Sequence, residues 1–154
     1  MKLSAKQERR IVASAAEANA KARARDALRA AVWMPHAGHF ICGMYCSFHL
    51  NTYVNGYIVS TVGEYRPATG RGGLPRLDSD PPREIGSGRL YETMVFHGMA
   101  TDWSDETPTS ERCCPYAMTD ADNIDFAAYN KPGDAYAGHI KMLGKYAKAK
   151  RGGG

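Results

Sequence analysis

An Asn-Gly pair at positions 55–56 separates two β-rich runs, and it constrains the fold more than any other feature of the chain. Both residue types tolerate the positive φ that a two-residue hairpin turn demands. Ahead of the pair, apolar side chains recur at every second position, Phe40, Cys42, Met44, Cys46, Phe48 and Leu50, followed by Val54. A period of two marks a strand with one buried face. Tyr57 to Tyr65 supplies the returning strand, so Phe40–Tyr65 reads as one long β-hairpin. The turn fixes the register: Val54 opposite Tyr57, Thr52 opposite Val59, Leu50 opposite Thr61, Phe48 opposite Gly63 and Cys46 opposite Tyr65. The apolar face then comprises Phe40, Cys42, Met44, Cys46, Phe48, Leu50, Val54, Tyr57 and Val59. The opposite face carries Tyr45, Ser47, His49, Asn51, Tyr53, Ser60 and Glu64, polar enough to meet water or a ligand.

Elements on either side follow from composition. Residues 3 to about 31 are rich in Ala, Lys, Arg, Glu and Gln without Gly or Pro, which predicts a long helix ending at Trp33-Met34-Pro35. Its only large aliphatics are Leu3, Ile11, Val12, Leu28 and Val32, so most of it is not core. Such a helix projects, packs through its alanines on a partner, or frays. Pro67–Gly88, with four prolines and repeated glycines, is a long loop. Arg89–His97 reads as a third strand and Ile124–Tyr129 as a short fourth, with a turn-rich acidic segment between them. Asp134–Lys150 reads as a helix with Asp134 as N-cap, an apolar stripe through Tyr136, Ile140, Leu143 and Tyr146 or Ala147, and Gly138 for close approach to the sheet. The expected fold is α+β: an antiparallel sheet of three or four strands, the C-terminal helix on one face, and a long N-terminal Ala/Arg-rich helix. Residues 1–33 form a basic helical extension, and residues 34–154 a single domain.

A chain of 154 residues with 44% hydrophobic content suits one globular core. No run approaches 18 apolar residues, and the N-terminus has no secretory h-region, so neither a membrane span nor export is expected. A cytosolic protein with reduced cysteines follows from that expectation. Charge is unevenly placed: Lys and Arg outnumber Asp and Glu eight to three in residues 1–33 and five to none in residues 141–154, while residues 34–140 carry seven against thirteen. Basic ends on an acidic body suit nucleic acid, an acidic partner or simple solvation. Arg9, Arg10, Lys21, Arg23, Arg25 and Arg29 would make the nucleic-acid contacts.

His36, His39, Cys42 and Cys46 have the residue types of a tetrahedral zinc site. An extended strand separates Cys42 from Cys46 by roughly 13 Å, whereas thiolates on one metal lie within about 4 Å. The strand reading makes both cysteines core residues; a looped segment would make a small zinc module. No cofactor is indicated otherwise. Cys113-Cys114 lies among acidic residues, which raise a thiol pKa, and so reads as a surface pair. Gly70–Gly73 with Arg71, Arg76, Arg83 and Arg89 lacks the strand-to-helix setting of a phosphate loop, and Asp78, Asp80 and Glu84 balance its arginines. His49, His97 and His139 have no nucleophile or carboxylate placed beside them by spacing, which argues against an enzyme.

The runs TYVNGYIVSTVGEY, YETMVF and IDFAAYN…GDAYAGH resemble, over about residues 50–146, a group of small proteins encoded by tailed bacteriophages and prophages. The resemblance implies a non-enzymatic accessory protein that binds a host protein or a nucleotide-derived signal, with an anti-defence role. It transfers no functional residue. Tyr45, His49, Tyr53, Arg71, Arg76 and Tyr91 are the expected ligand or partner surface, since aromatics and Arg dominate such sites. A homo-oligomer is expected, because a long hairpin under one helix leaves an edge and a second face to cover. The alternative is a nucleic-acid-associated or virion structural protein that uses its basic termini.

Overall fold

The computed structural model of the protein describes residues 4–35, 45–66, 81–101 and 115–149. Among these the order is α1 (Ala5–Arg29), β1 (Val32–Met34), β2 (Cys46–Val54), β3 (Tyr57–Tyr65), β4 (Tyr91–Ala100), β5 (Tyr116–Met118), β6 (Asp125–Tyr129) and α2 (Pro132–Ala147). All strand pairs are antiparallel, and β1, β2, β3 and β4 lie in that order across the sheet. β4 is shared at its far edge: its first half pairs with β6 and its last residues with β5. The α+β class, the antiparallel sheet and the covering C-terminal helix are as the sequence implies. Six strands replace the expected three or four because β1 and β5 are three-residue strands too short to leave a period.

Every expected pairing of the hairpin is present, from Val54 with Tyr57 to Cys46 with Tyr65. Asn55 and Gly56 both take positive φ, 51° and 89°, the mirror-image turn that matches strand twist. Phe48 stands opposite Gly63, and the Tyr91 ring covers that glycine and meets Phe48 edge-on at 5.2 Å. Phe40, Cys42 and Met44 lie outside the described residues.

One face of the sheet packs Val54, Tyr57, Val59 and Val95 against Leu143, Tyr146 and Ala147 of α2. Asn55 ties the hairpin turn to the same helix by donating to the carbonyls of Tyr146 (3.2 Å) and Ala149 (2.8 Å), groups a helix end otherwise leaves open. α2 starts earlier than expected, with Lys131 at the cap and Pro132 in the first turn, and Asp134 sits inside that turn rather than capping it. The helix is also rotated: Ala135, Gly138 and His139 face the sheet, while Tyr136 and Ile140 are exposed. Gly138 permits the approach, since a Cβ there would collide with the Tyr129 hydroxyl.

The second face, expected to meet water, does so at Ser47 and His49 but is closed along its middle. Asn51, Ile58, Ser60, Val62 and Phe96 are all buried, because the twisted sheet curls around them. The curl is measured by Tyr53 of β2 and Tyr116 of β5, whose rings stack at 3.6 Å although β3 and β4 lie between their strands. The N-terminal helix begins at a capping box, Gln7 N–H donating to Ser4 Oγ and Ser4 N–H to Gln7 Oε1. It stops at Arg29, and Trp33, expected as a helix stop, belongs to β1. Only its last turns enter the core: Ala24 is buried, and Ala27 and Ala31 pack on the α2 cluster.

Candidate functional site

Three polar groupings emerge from the fold, and only one of them is open. The first is His139, fully buried between α2 and the sheet. Its Nε2 lies 3.0 Å from Thr52 Oγ1 and its Nδ1 2.8 Å from Thr61 Oγ1, which in turn lies 2.7 Å from Thr93 Oγ1. A neutral imidazole donates from one nitrogen and accepts at the other, and hydroxyls match either tautomer. The Trp33 ring stands 5.4 Å away. Burial pushes the His139 pKa down to about 4, so the ring is neutral at pH 7. Among the described residues its hydrogen-bond partners are these threonine hydroxyls.

The second grouping sits where β3 ends. Glu64 has φ of 54°, a conformation that non-glycine residues adopt rarely. Its carboxylate accepts from Ser47 Oγ at 2.7 Å and from the Tyr91 hydroxyl at 3.1 Å, with Arg66 Nη1 at 3.6 Å. The Ser47 hydrogen bond is the largest cause holding the Glu64 pKa below its ordinary value, with Tyr91 and Arg66 adding to it against the opposing effect of burial. Burial first, then Glu64, pushes Tyr91 up to about 12. A carboxylate so well supplied with donors is a poor general base. A parallel arrangement joins Asp125 to Lys145 Nζ (2.6 Å) and to the Tyr146 hydroxyl (3.1 Å), and burial followed by Asp125 raises Tyr146 to about 12. In a 295 nm titration these two tyrosines are expected to ionise only near pH 12, and Glu64→Gln should bring the Tyr91 step part of the way back. The unfolded chain releases both protons nearer pH 10, so stability should fall as pH rises from 10 to 12.

The third grouping is a cleft of about 330 Å³ beside the hairpin turn. Tyr53, Tyr57, His97, Gly98, Thr119 and the Asn55-Gly56 turn line it. Tyr57 is held from behind by Tyr146 at 4.8 Å and leans on His97 at 5.5 Å. Gly98 makes room for Tyr53 and Ile58, since a Cβ at that position would press on both side chains.

The expected surface residues are distributed over this framework. Tyr53 is in the cleft, whereas Tyr45 packs edge-on against Tyr65 at the opposite end of the hairpin. Tyr91, expected on the surface, is buried, because Gly63 leaves a hollow that its ring fills. His49 is exposed, its Nε2 within 2.9 Å of the Pro35 carbonyl oxygen. Arg71 and Arg76 lie outside the described residues, as do His36, His39, Cys42, Cys113 and Cys114. Cys46 is buried, and among the described residues no three His, Cys, Asp or Glu side chains are grouped to hold a metal. Arg89 is committed to Glu92 at 2.9 Å and to the face of Phe126 at 5.1 Å. Arg9, Arg10, Lys21, Arg23, Arg25 and Arg29 all fall on α1. Tyr57 and His97, partners in the β3–β4 register, were missed as site residues, and so was Tyr116, which only the curl of the sheet places by Tyr53. No helix among the described residues is long and apolar enough to cross a membrane. Compared with known proteins, the chain matches no family model, no curated protein and no solved structure.

Proposed function

We propose that the protein is a non-enzymatic accessory protein of a tailed phage or prophage. It acts in the bacterial host cytoplasm by binding a host partner or a nucleotide-derived signal, and its role is anti-defence. The observation that supports binding is the cleft at the hairpin turn, lined by Tyr53, Tyr57, the exposed His97 and the backbone of the turn, with Tyr57 held from behind by Tyr146 of α2. A cleft near 300 Å³ is at the small end of ligand sites and takes one planar ring. Either a nucleobase or an aromatic side chain of a partner suits it. The non-enzymatic reading rests on the histidines: His139 is sealed in the core, and among the described residues that line the cleft with His97 there is no carboxylate.

The protein works as a homo-oligomer, which would cover the exposed Tyr136 and Ile140 on α2, Trp33, and the edge strand β1. Light scattering after size exclusion tests this, and a monomer at high concentration would count against it. The cleft is tested by calorimetric titration with nucleosides and cyclic nucleotides, alongside capture from host lysate. His97→Ala, an exposed change that leaves the fold intact, should weaken the bound species at least tenfold, and Tyr53→Ala more. Capture unaffected by both substitutions, or no binding in either assay, would remove the cleft reading.

A further inference from the structure

We infer that α1 is a duplex-DNA arm, a slender helix that enters the major groove with its two cationic ends on the phosphates that border it. Residues 4–21 are exposed along their whole length, and the described helix is anchored to the body only through its last turns. It carries seven Lys and Arg against three Asp and Glu. Two of the cations are engaged locally, Lys21 with Glu17 at 2.7 Å and Arg25 with Asp26 at 3.5 Å. Lys6, Arg9, Arg10, Arg23 and Arg29 have no acidic partner among the described residues.

Their spacing is what selects the ligand. Lys6, Arg9 and Arg10 form one group and Lys21, Arg23, Arg25 and Arg29 another, while Ile11–Ala20 holds no cation, is half alanine and has Glu17, paired with Lys21, as its one charged residue. At 1.5 Å per residue, Arg10 and Lys21 are about 16 Å apart along the axis. A major groove about 12 Å wide with phosphates on both walls fits between them. Alanine keeps the middle of the helix narrow enough to enter, and Ser14 and Asn19 are the side chains there that can reach base edges. Lys141 and Lys148 on α2 add charge near the foot of the arm, because Ala27 and Ala31 of the N-terminal segment pack on the cluster of Leu143, Tyr146 and Ala147. Pairing of α1 with α1 of a second copy is disfavoured, since it would set one net positive helix against another.

The test uses the full chain and a fluorescently labelled 24-base-pair duplex of mixed sequence, read by anisotropy from 50 to 300 mM KCl. Binding is expected at 50 mM, with log K falling against log salt at a slope of about −5, near −0.9 per phosphate neutralised. Arg9→Ala with Arg10→Ala should weaken binding at least tenfold and flatten the slope by about 2. Arg23→Ala with Arg29→Ala should do the same. All four side chains are exposed, so circular dichroism and melting should match the unmodified protein. Ala16→Trp widens the middle of the helix without changing its charge, and should weaken duplex binding while sparing single strands. Absence of duplex binding at 50 mM would overturn the inference. So would displacement by polyglutamate at equal charge, which marks an arm for acidic proteins, or a tryptophan variant that binds duplex as well as the original.

Discussion

Replacing His139 with alanine is expected to lower the free energy of unfolding by about 4 kcal/mol, measured by urea denaturation. The change empties a fully buried position and removes the partner of two hydroxyls. Thr61 keeps Thr93, but Thr52 is left with no hydrogen-bond partner among the described residues. The larger part of the loss should therefore depend on Thr52. His139→Leu combined with valine at Thr52, Thr61 and Thr93 replaces every member of the network by an apolar group of similar shape, and should recover most of the stability. If His139→Ala alone costs less than about 1 kcal/mol, the network is not a keystone of the fold.

Acid gives the same histidine a second signature. The unfolded chain binds a proton on it below pH 6.5, whereas the folded chain resists until about pH 4 because the ring is buried. In that window the unfolded state holds more protons, so stability falls as pH falls, by up to about 3 kcal/mol in all. Glu64 and Asp125 act lower: both are held below their ordinary pKa, so their stabilisation is present above it and is lost only as pH drops through the folded value. The slope between pH 6.5 and 4.5 thus belongs mainly to His139, and the variant with the apolar network should have lost it.

The hairpin was legible because Asn55-Gly56 leaves few alternatives: it dictates the turn, the turn dictates the register, and all five expected pairs are present. The rotation of α2 was not, because a reading by large apolar residues selects Tyr136 and Ile140, while the sheet beneath presents threonines. A signal was available. Thr52, Thr61 and Thr93 share one face, and three hydroxyls in line across adjacent strands call for a polar partner such as His139. The cleft was half legible. Tyr53 was chosen for the right property and Tyr57 with His97 follows from strand register beside the turn, but Tyr116 reaches Tyr53 through the curl of the sheet, which depends on strand twist summed over four strands and leaves no local mark.

Gly63→Ala should be the most damaging single methyl added to the hairpin, lowering stability by about 3 kcal/mol. The φ of Gly63 is not in the positive range, so the backbone accepts alanine and the effect is steric. A Cβ at this position falls within the Tyr91 ring. That ring has nowhere to go: Phe48 meets it edge-on, and its hydroxyl is held by Glu64, itself fixed at a positive φ by Ser47 and Arg66. Moving the ring therefore breaks the Glu64 grouping as well as the packing, and Gly63→Ala should also lower the Tyr91 pKa from about 12 towards 10. A double-mutant cycle separates strain from any intrinsic preference. In a Tyr91→Ala background the ring is gone, and Gly63→Ala should then be close to neutral or slightly stabilising, because alanine restricts the unfolded chain more than glycine does. An equal loss in both backgrounds would place the cost in the backbone of β3, and the aromatic cover over the glycine would then not be what holds this end of the hairpin.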